Sequence, residues 1–425
     1  MRIAPTIRPI FHCMEHVATA PRQKIFNATV LVAALGYFVD IYDLQLFNLV
    51  SKQSLGPMGL NLGQELVDRY DYLLFLWQMG GMLAGGLLWG VLGDKLGRKS
   101  VLFGSILIYS LANIANGFVT DLNMYVLVRF IAGFGLAGEL GAAITLVSEI
   151  LHRESRGWGT MIVVTVGALG AVVANIIART TSWQVSYFIG GGLGLLLLLL
   201  RVGTFESKMF DAVKQSEVRK GNFFMLFTDR KRFLKYLCCI LVGLPVWYTI
   251  GILVKFADKF AAHTGVTGEA IKVGNAIMYA YIGLSVGDLF SGWLSQVWRS
   301  RRKTVFFFLG LTVVLVLLYL FVHELSSGAF YFLIFLLGAA TGFWALFVTI
   351  AAEQFGTNIR ATVTTTAPNF VRGAVIPLVL GFQALQQHYS LVTATLIMGA
   401  ISVGLSAIAT WYLKETFGKD LEYTE

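Results

Sequence analysis

Charge is the first thing this chain has little of. Asp, Glu, Lys and Arg make up 13% of its 425 residues, 56% are hydrophobic, and the mean hydropathy is +0.70. A soluble domain carries about 25% charged residues, so water is not the main solvent here. Histidine is scarce as well. All six (His12, His16, His152, His263, His323 and His388) fall in tails, loops or ends of apolar runs, which argues against intramembrane haem, metal or His-based catalysis. No metal or cofactor is expected. Of three cysteines, Cys13 precedes the first apolar run and Cys238 and Cys239 are adjacent within one, so no disulfide framework is implied. Residues 1–24 hold Pro5, Pro9 and Pro21 and no apolar core, so no cleavable signal peptide is expected. No nucleophile–base constellation is visible, and an enzyme is not expected.

What is abundant is long apolar sequence. A membrane-crossing helix needs about 20 mostly apolar residues, and twelve such spans are predicted: 25–50, 71–93, 100–119, 122–149, 158–178, 183–202, 233–258, 270–297, 304–322, 329–353, 361–387 and 391–413. An even count puts both termini on one side. Of the 33 Lys and Arg residues, Lys52, Arg69, Arg179, Lys255, Lys259 and Lys272 fall in the loops or span ends of one side, and Arg129 and Arg372 lie deep inside spans. The rest fall on the other side, which the positive-inside rule makes cytoplasmic. A multi-pass protein of the cell (inner) membrane with both termini cytoplasmic is expected. The high pI of 9.4 therefore points to anionic lipid headgroups rather than nucleic acid.

Sliding the sequence on itself reveals a repeat. A gapless offset of 204 pairs Trp89 with Trp293, Arg98 with Arg302, Lys99 with Lys303 and Gly138 with Gly342. It also pairs Thr145 with Thr349, Glu149 with Glu353, Arg156 with Arg360 and Thr160 with Thr364. The expected organisation is an N-tail (1–24), a six-helix half (25–202), a basic linker (203–232), a second six-helix half (233–413) and a C-tail (414–425). The fold class is an all-α membrane protein with two parallel six-helix halves around a midplane site.

After the second span the chain reads Gly90-Val-Leu-Gly93-Asp94-Lys-Leu-Gly97-Arg98-Lys99, which matches the G-x-L-[GA]-D-[RK]-x-G-R-[RK] signature of the major facilitator superfamily. Gly36-Tyr-Phe-Val-Asp40-Ile-Tyr42-Asp43-Leu in the first span, Arg129-x3-Gly133-x-Gly135-x2-Gly138-Glu139 in the fourth and Glu353-Gln-Phe355-x3-Ile-Arg360-Ala-Thr362 at the end of the tenth resemble the phosphate:proton and metabolite:proton symporters. The departures are informative. Glu139-Leu-Gly141 replaces the D-Y-P of phosphate symporters, Arg372 stands where they carry a substrate-binding lysine, and Trp298 takes the second-half signature aspartate's place. The resemblance implies proton-coupled import of a small anion such as phosphate or an organic acid by alternating access. The alternatives are an exporter or antiporter of the same fold, or a non-transporting receptor. A monomer in the lipid bilayer is expected.

Ionisable residues inside spans are costly and face a partner or a wet cavity. Asp40 and Asp43 share one helix face, and two carboxylates that close do not both ionise readily in low dielectric. That suits proton loading, with static pairing to Arg129 as the alternative; Glu139 and Asp288 are further proton-coupling candidates. Arg372, between Pro368 and Pro377, falls near the midplane, where its guanidinium fork suits carboxylate or phosphate. The bland reading pairs it with Asp288 or Glu139. Arg129, Asn369, Gln78, Tyr42, Trp247 and Tyr248 complete the candidate substrate set. Asp94, Arg98, Glu149 and Arg156, with Arg302, Glu353 and Arg360, are expected to latch the two halves together at their cytoplasmic ends. The glycine rows of spans 2 and 4 read as close helix packing.

Overall fold

A computed structural model describes residues 28–151, 156–201 and 223–419. Among them, eleven helices are long and apolar enough to cross a membrane. They are α1 (Ala28–Leu55), α2 (Gln64–Leu96), α4 (Leu122–Ile150), α5 (Gly157–Thr180), α6 (Trp183–Leu200), α7 (Arg230–Val254), α8 (Val273–Val297), α9 (Arg301–Phe321), α10 (Ser327–Gln354), α11 (Arg360–Gln386) and α12 (Leu391–Tyr412). The twelfth, α3 (Arg98–Asn116), has 19 residues; Arg98, Lys99, Asn113 and Asn116 lower its hydropathy below that of the others. Helix α2 runs past its predicted span at both ends, and α7, α9, α10 and α11 begin before theirs, because their polar terminal turns project beyond the apolar stretch. Helix α7 thus begins inside the expected linker, where Asp229 caps it by accepting from the Arg232 N–H at 2.8 Å. The N-tail 1–24, most of the 203–232 linker and the end of the C-tail lie outside the described residues.

Several helices break where the sequence withholds a backbone donor or a side chain. Pro245 and Pro377 have no N–H for the carbonyls four residues earlier, and α7 and α11 are interrupted at Gly243 and Ala374. Helix α7 then runs through a π turn at Thr249–Val254. Helix α4 breaks after Leu136, and α10 after Ala340.

Within the first half, α2 lies directly against α4. A Cβ on Gly81 or Gly85 would strike the backbone of Phe130 or Phe134, as the glycine rows predicted. Helices α8 and α10 repeat the arrangement through Gly283 and Gly287. The halves meet through α2 and α4 against α11, and through α5 against α8 and α10. Two hydroxyl bonds mark this seam: Thr145 with Thr364 at 2.5 Å and Thr160 with Thr349 at 2.9 Å. The offset of 204 turns one pair into the other, so the halves are related by a pseudo-two-fold axis through the seam.

Candidate substrate site

We call the side where the described chain begins and ends the tail side, and the other the far side. A cavity of about 610 Å³ opens on the far side. Its walls include Gln45, Asn48 and Lys52 of α1, Asp71 and Phe75 of α2, Trp247 and Ile250 of α7, and Lys255 just beyond it. Beneath it lies a second space of only about 20 Å³, lined by Tyr37, Ala168, Tyr281, Trp344 and Arg372 among others. Trp247 and Ile250 border both and form the partition between them. Gln45 strengthens it by donating from Nε2 to the Tyr281 hydroxyl at 2.7 Å, from α1 to α8 across the halves.

Arg372 of α11 reaches α1 in the small space. Its Nη2 donates to Asp40 Oδ2 at 3.4 Å and to the Tyr37 hydroxyl at 3.5 Å, and the guanidinium stands 6.0 Å from the Trp344 ring centroid. Both charges are buried. Among the described residues, Arg372 Nε and Asp40 Oδ1 find no partner. The bonds are long, and the site retains an unused donor and an unused acceptor. Neither Asp288 nor Glu139 pairs with Arg372, contrary to the bland reading.

The other candidates are dispersed. Glu139 is held by both terminal nitrogens of Arg201, which stands just beyond α6. Asp288 accepts from the Ala345 N–H at 2.9 Å, near the start of the second segment of α10. Asp43 does not form an ion pair with Arg129. Neither Asp43 oxygen and no Arg129 guanidinium nitrogen has a hydrogen-bond partner among the described residues, and the guanidinium lies 5.0 Å and 5.7 Å from the Phe47 and Tyr187 ring centroids. Asn113 and Asn116 are buried nearby in the first half, also without partners.

Besides Arg129, four expected substrate residues stand away from both cavities. Tyr42 donates to the Ser186 carbonyl, and Tyr248 to the Thr395 carbonyl of α12. Asn369 bridges the halves by donating to the Ala137 carbonyl at 2.8 Å. Gln78 is buried with its amide unpartnered among the described residues. Trp247 is the expected aromatic that does line both spaces. Tyr37, Gln45 and Tyr281 were missed, because an apolar span gives no signal of which face of a helix meets the other half.

The tail side is closed. Asp94 of α2 accepts from the N–H groups of Ala361 and Thr362 at 3.1 and 2.8 Å and from the Thr362 hydroxyl at 2.7 Å. A carboxylate from one half thus caps the N-terminus of α11 in the other. Glu149 accepts from Arg98 at 2.8 Å and from Arg360, across the halves, at 3.3 Å. In the second half the partner of Glu353 is Arg301, at 3.2 Å, not Arg302, which donates to the Thr410 and Trp411 carbonyls. The gapless offset misassigns this position by one in an Arg-Arg-Lys run. The Arg156 side chain lies outside the described residues.

Twelve membrane helices in two related halves, sealed at one end and open at the other above a buried ion pair that joins the halves, define a polytopic membrane transporter. Residues 33–376 match the model of the Major Facilitator Superfamily, and the chain belongs to that family. It is similar to the niacin transporter NiaP of Acinetobacter baylyi, at 24% identity over 96% of this chain and 98% of that protein. It is similar also to the gentisate transporter of Corynebacterium glutamicum, at 26% identity over 90% of this chain and 86% of that one. The proton:xylose symporter XylE shares the fold with a TM-score of 0.72 at 15% identity, covering 93% of this chain and 97% of that one.

Proposed function

We propose that this protein imports a small organic monoanion, an aromatic carboxylate, together with a proton across the cell membrane, with both termini cytoplasmic and the far side outside. The observation that carries the reading is the Asp40–Arg372 contact, a long ion pair between the halves with a donor and an acceptor unused. An arriving carboxylate competes with Asp40 for the guanidinium. Asp40, released from the pair in an apolar site, takes a proton, and Asp43 one turn along the same helix serves as its relay. Cargo and proton are thereby bound together. Trp247, Trp344, Tyr37 and Tyr281 supply flat apolar faces for a ring, and niacin and gentisate, the cargoes named for the two relatives, are aromatic carboxylic acids. Phosphate has no comparable support.

The test is uptake of nicotinate into proteoliposomes with and without an imposed acid-outside gradient. Asp40→Asn should lose gradient-driven accumulation while retaining nicotinate exchange. Arg372→Gln should lose both, and Arg372→Lys should keep part of the exchange, because the charge survives without the fork. Wild-type accumulation in both Asp40→Asn and Asp43→Asn would move proton coupling from α1 to Glu139 or Asp288.

A further inference from the structure

The inner space around Arg372, at about 20 Å³, is the size of a water molecule. The outer cavity, at about 610 Å³, lies within the range of small-molecule sites. In this conformation an organic anion fits only the outer one, on the far side of the Trp247–Ile250 partition. Positive charge is scarce on the far side, yet four of its cations, Lys52, Lys255, Lys259 and Lys272, line this one cavity. Its carboxylates are Asp71 and Asp258.

Lys255 differs from the other three. It is partly buried where they are exposed, and its Nζ lies 4.7 Å from the Phe75 ring centroid. Its hydrogen bond is to a neutral acceptor, Asn48 Oδ1, at 3.1 Å. Among the described residues its counter-ion is Asp71, at 3.7 Å, too far for a direct hydrogen bond, and Asp71 Oδ1 has no partner there. An ammonium has three donors, and this one meets its carboxylate loosely.

We infer that Lys255 forms an outer carboxylate subsite, in which the anion binds first, displacing Asp71 and resting its ring against Phe75 and Trp247, before the partition opens and hands it to Arg372. This rests on the substrate class proposed above and adds a second, sequential site to it. Exposed Lys52, Lys259 and Lys272 draw the anion in, an attraction that salt screens over about 10 Å at 0.1 M. Asp71 is a built-in competitor: it keeps Lys255 paired when the cavity is empty and yields to a better-placed carboxylate.

The experiment measures nicotinate binding to purified protein by tryptophan fluorescence, and its initial uptake rate, at low and at physiological ionic strength. Lys255→Gln should raise KM about tenfold, the effect of losing one charge-assisted bond, with kcat little changed and the salt dependence flattened; Lys255→Arg should restore both. Asp71→Asn should lower KM, since it removes the competitor. If Lys255 and Asp71 were merely a strut between the halves, both neutral variants would shift KM in the same direction, and that result overturns the inference. Arg372→Gln should still bind nicotinate weakly and salt-sensitively, and adding Lys255→Gln should abolish that remainder. Complete loss of binding in Arg372→Gln alone removes the outer subsite while leaving the substrate class intact. No binding of nicotinate, benzoate or gentisate by the wild type removes both.

Discussion

A charge buried in an apolar surround has to be answered by another group, and this protein answers its charges unequally. Glu139 is engaged at both oxygens by Arg201, and Glu149 takes two arginines on one oxygen, whereas Asp40 and Arg372 hold each other loosely. Removing one member of a buried pair costs roughly 3–5 kcal/mol because the other is left uncompensated. Arg372→Gln should therefore lower the thermal unfolding temperature in detergent, and adding Asp40→Asn should recover most of the loss. Strictly additive losses would mean that the two do not share a pair. The sequence identified both residues as intramembrane charges but not their partnership, because the meeting of α1 and α11 is a tertiary fact. In the sequence, Arg201 reads as ordinary positive charge at a span end. The signal that could have found it is that Glu139, deep in α4, needs a cation, and Arg201 at the end of the sixth span supplies one. Lys255 likewise reads as a loop charge, although cations are few on its side of the chain.

Among the elements, α11 bears the most. Its N-terminus is capped by Asp94 from the other half, its first turn is crossed by the Arg360–Glu149 contact, and its backbone at Thr365 lies against Gly141 of α4 so closely that a Cβ there would collide. Together these contacts close the tail side. The repeat made Glu149 and Glu353 legible as a pair, but it implied equal roles. The structure assigns the cross-half contact to Glu149, while Glu353 pairs with Arg301 inside its own half. Glu149→Gln should raise modification of cysteines placed on the tail-side faces of α4 and α11 and lower that of cysteines in the far-side cavity, with Glu353→Gln alone doing less. Gly141→Ala should act in the same direction by wedging. A bias of about 1.4 kcal/mol corresponds to a tenfold change in the balance of states, well within the range of labelling rates. Unchanged labelling on both faces in folded Glu149→Gln protein would return these residues to a purely topological role.

At the scale of the whole molecule, the twelve spans and the two halves were legible because hydropathy and a fixed offset survive without knowledge of packing. Which helices break was partly so, since Pro245 and Pro377 mark two of the kinks. What lay beyond reach was the docking of the chain past α12. Glu415 accepts from the Ser300 hydroxyl at 2.5 Å and from the N–H groups of Arg301 and Phe417 at 2.9 and 3.0 Å, fastening the C-tail to the start of α9. Partial burial raises its pKa, but these hydrogen bonds outweigh it and hold the carboxyl below its ordinary value. A group with a depressed folded pKa contributes stability that is present above its unfolded pKa and lost as pH falls through the folded one. Hydrogen-exchange protection in the first turn of α9 should accordingly decline on acidification below the ordinary carboxylate range. Glu415→Gln should show weakened protection at every pH; a pH-dependent loss of wild-type size in that variant would exclude Glu415 as the cause.

The two threonine bonds of the seam exchange places under the internal repeat, so the closed face resembles the contact surface of a dimer whose subunits have been fused. Symmetry of this kind ends at the inner chamber. The counterpart of Arg372 under the same offset is Ala168, and both line the small space, one offering a cation and the other a methyl group. On the proposed reading, the seam and the cargo site are therefore distinct parts of the same fold. The duplicated threonines belong to the seam between the halves, and the unmatched arginine is the residue to which we assign the cargo. A descendant of this protein could exchange its cargo through substitutions at the unmatched positions alone, leaving the rocking surface as it was.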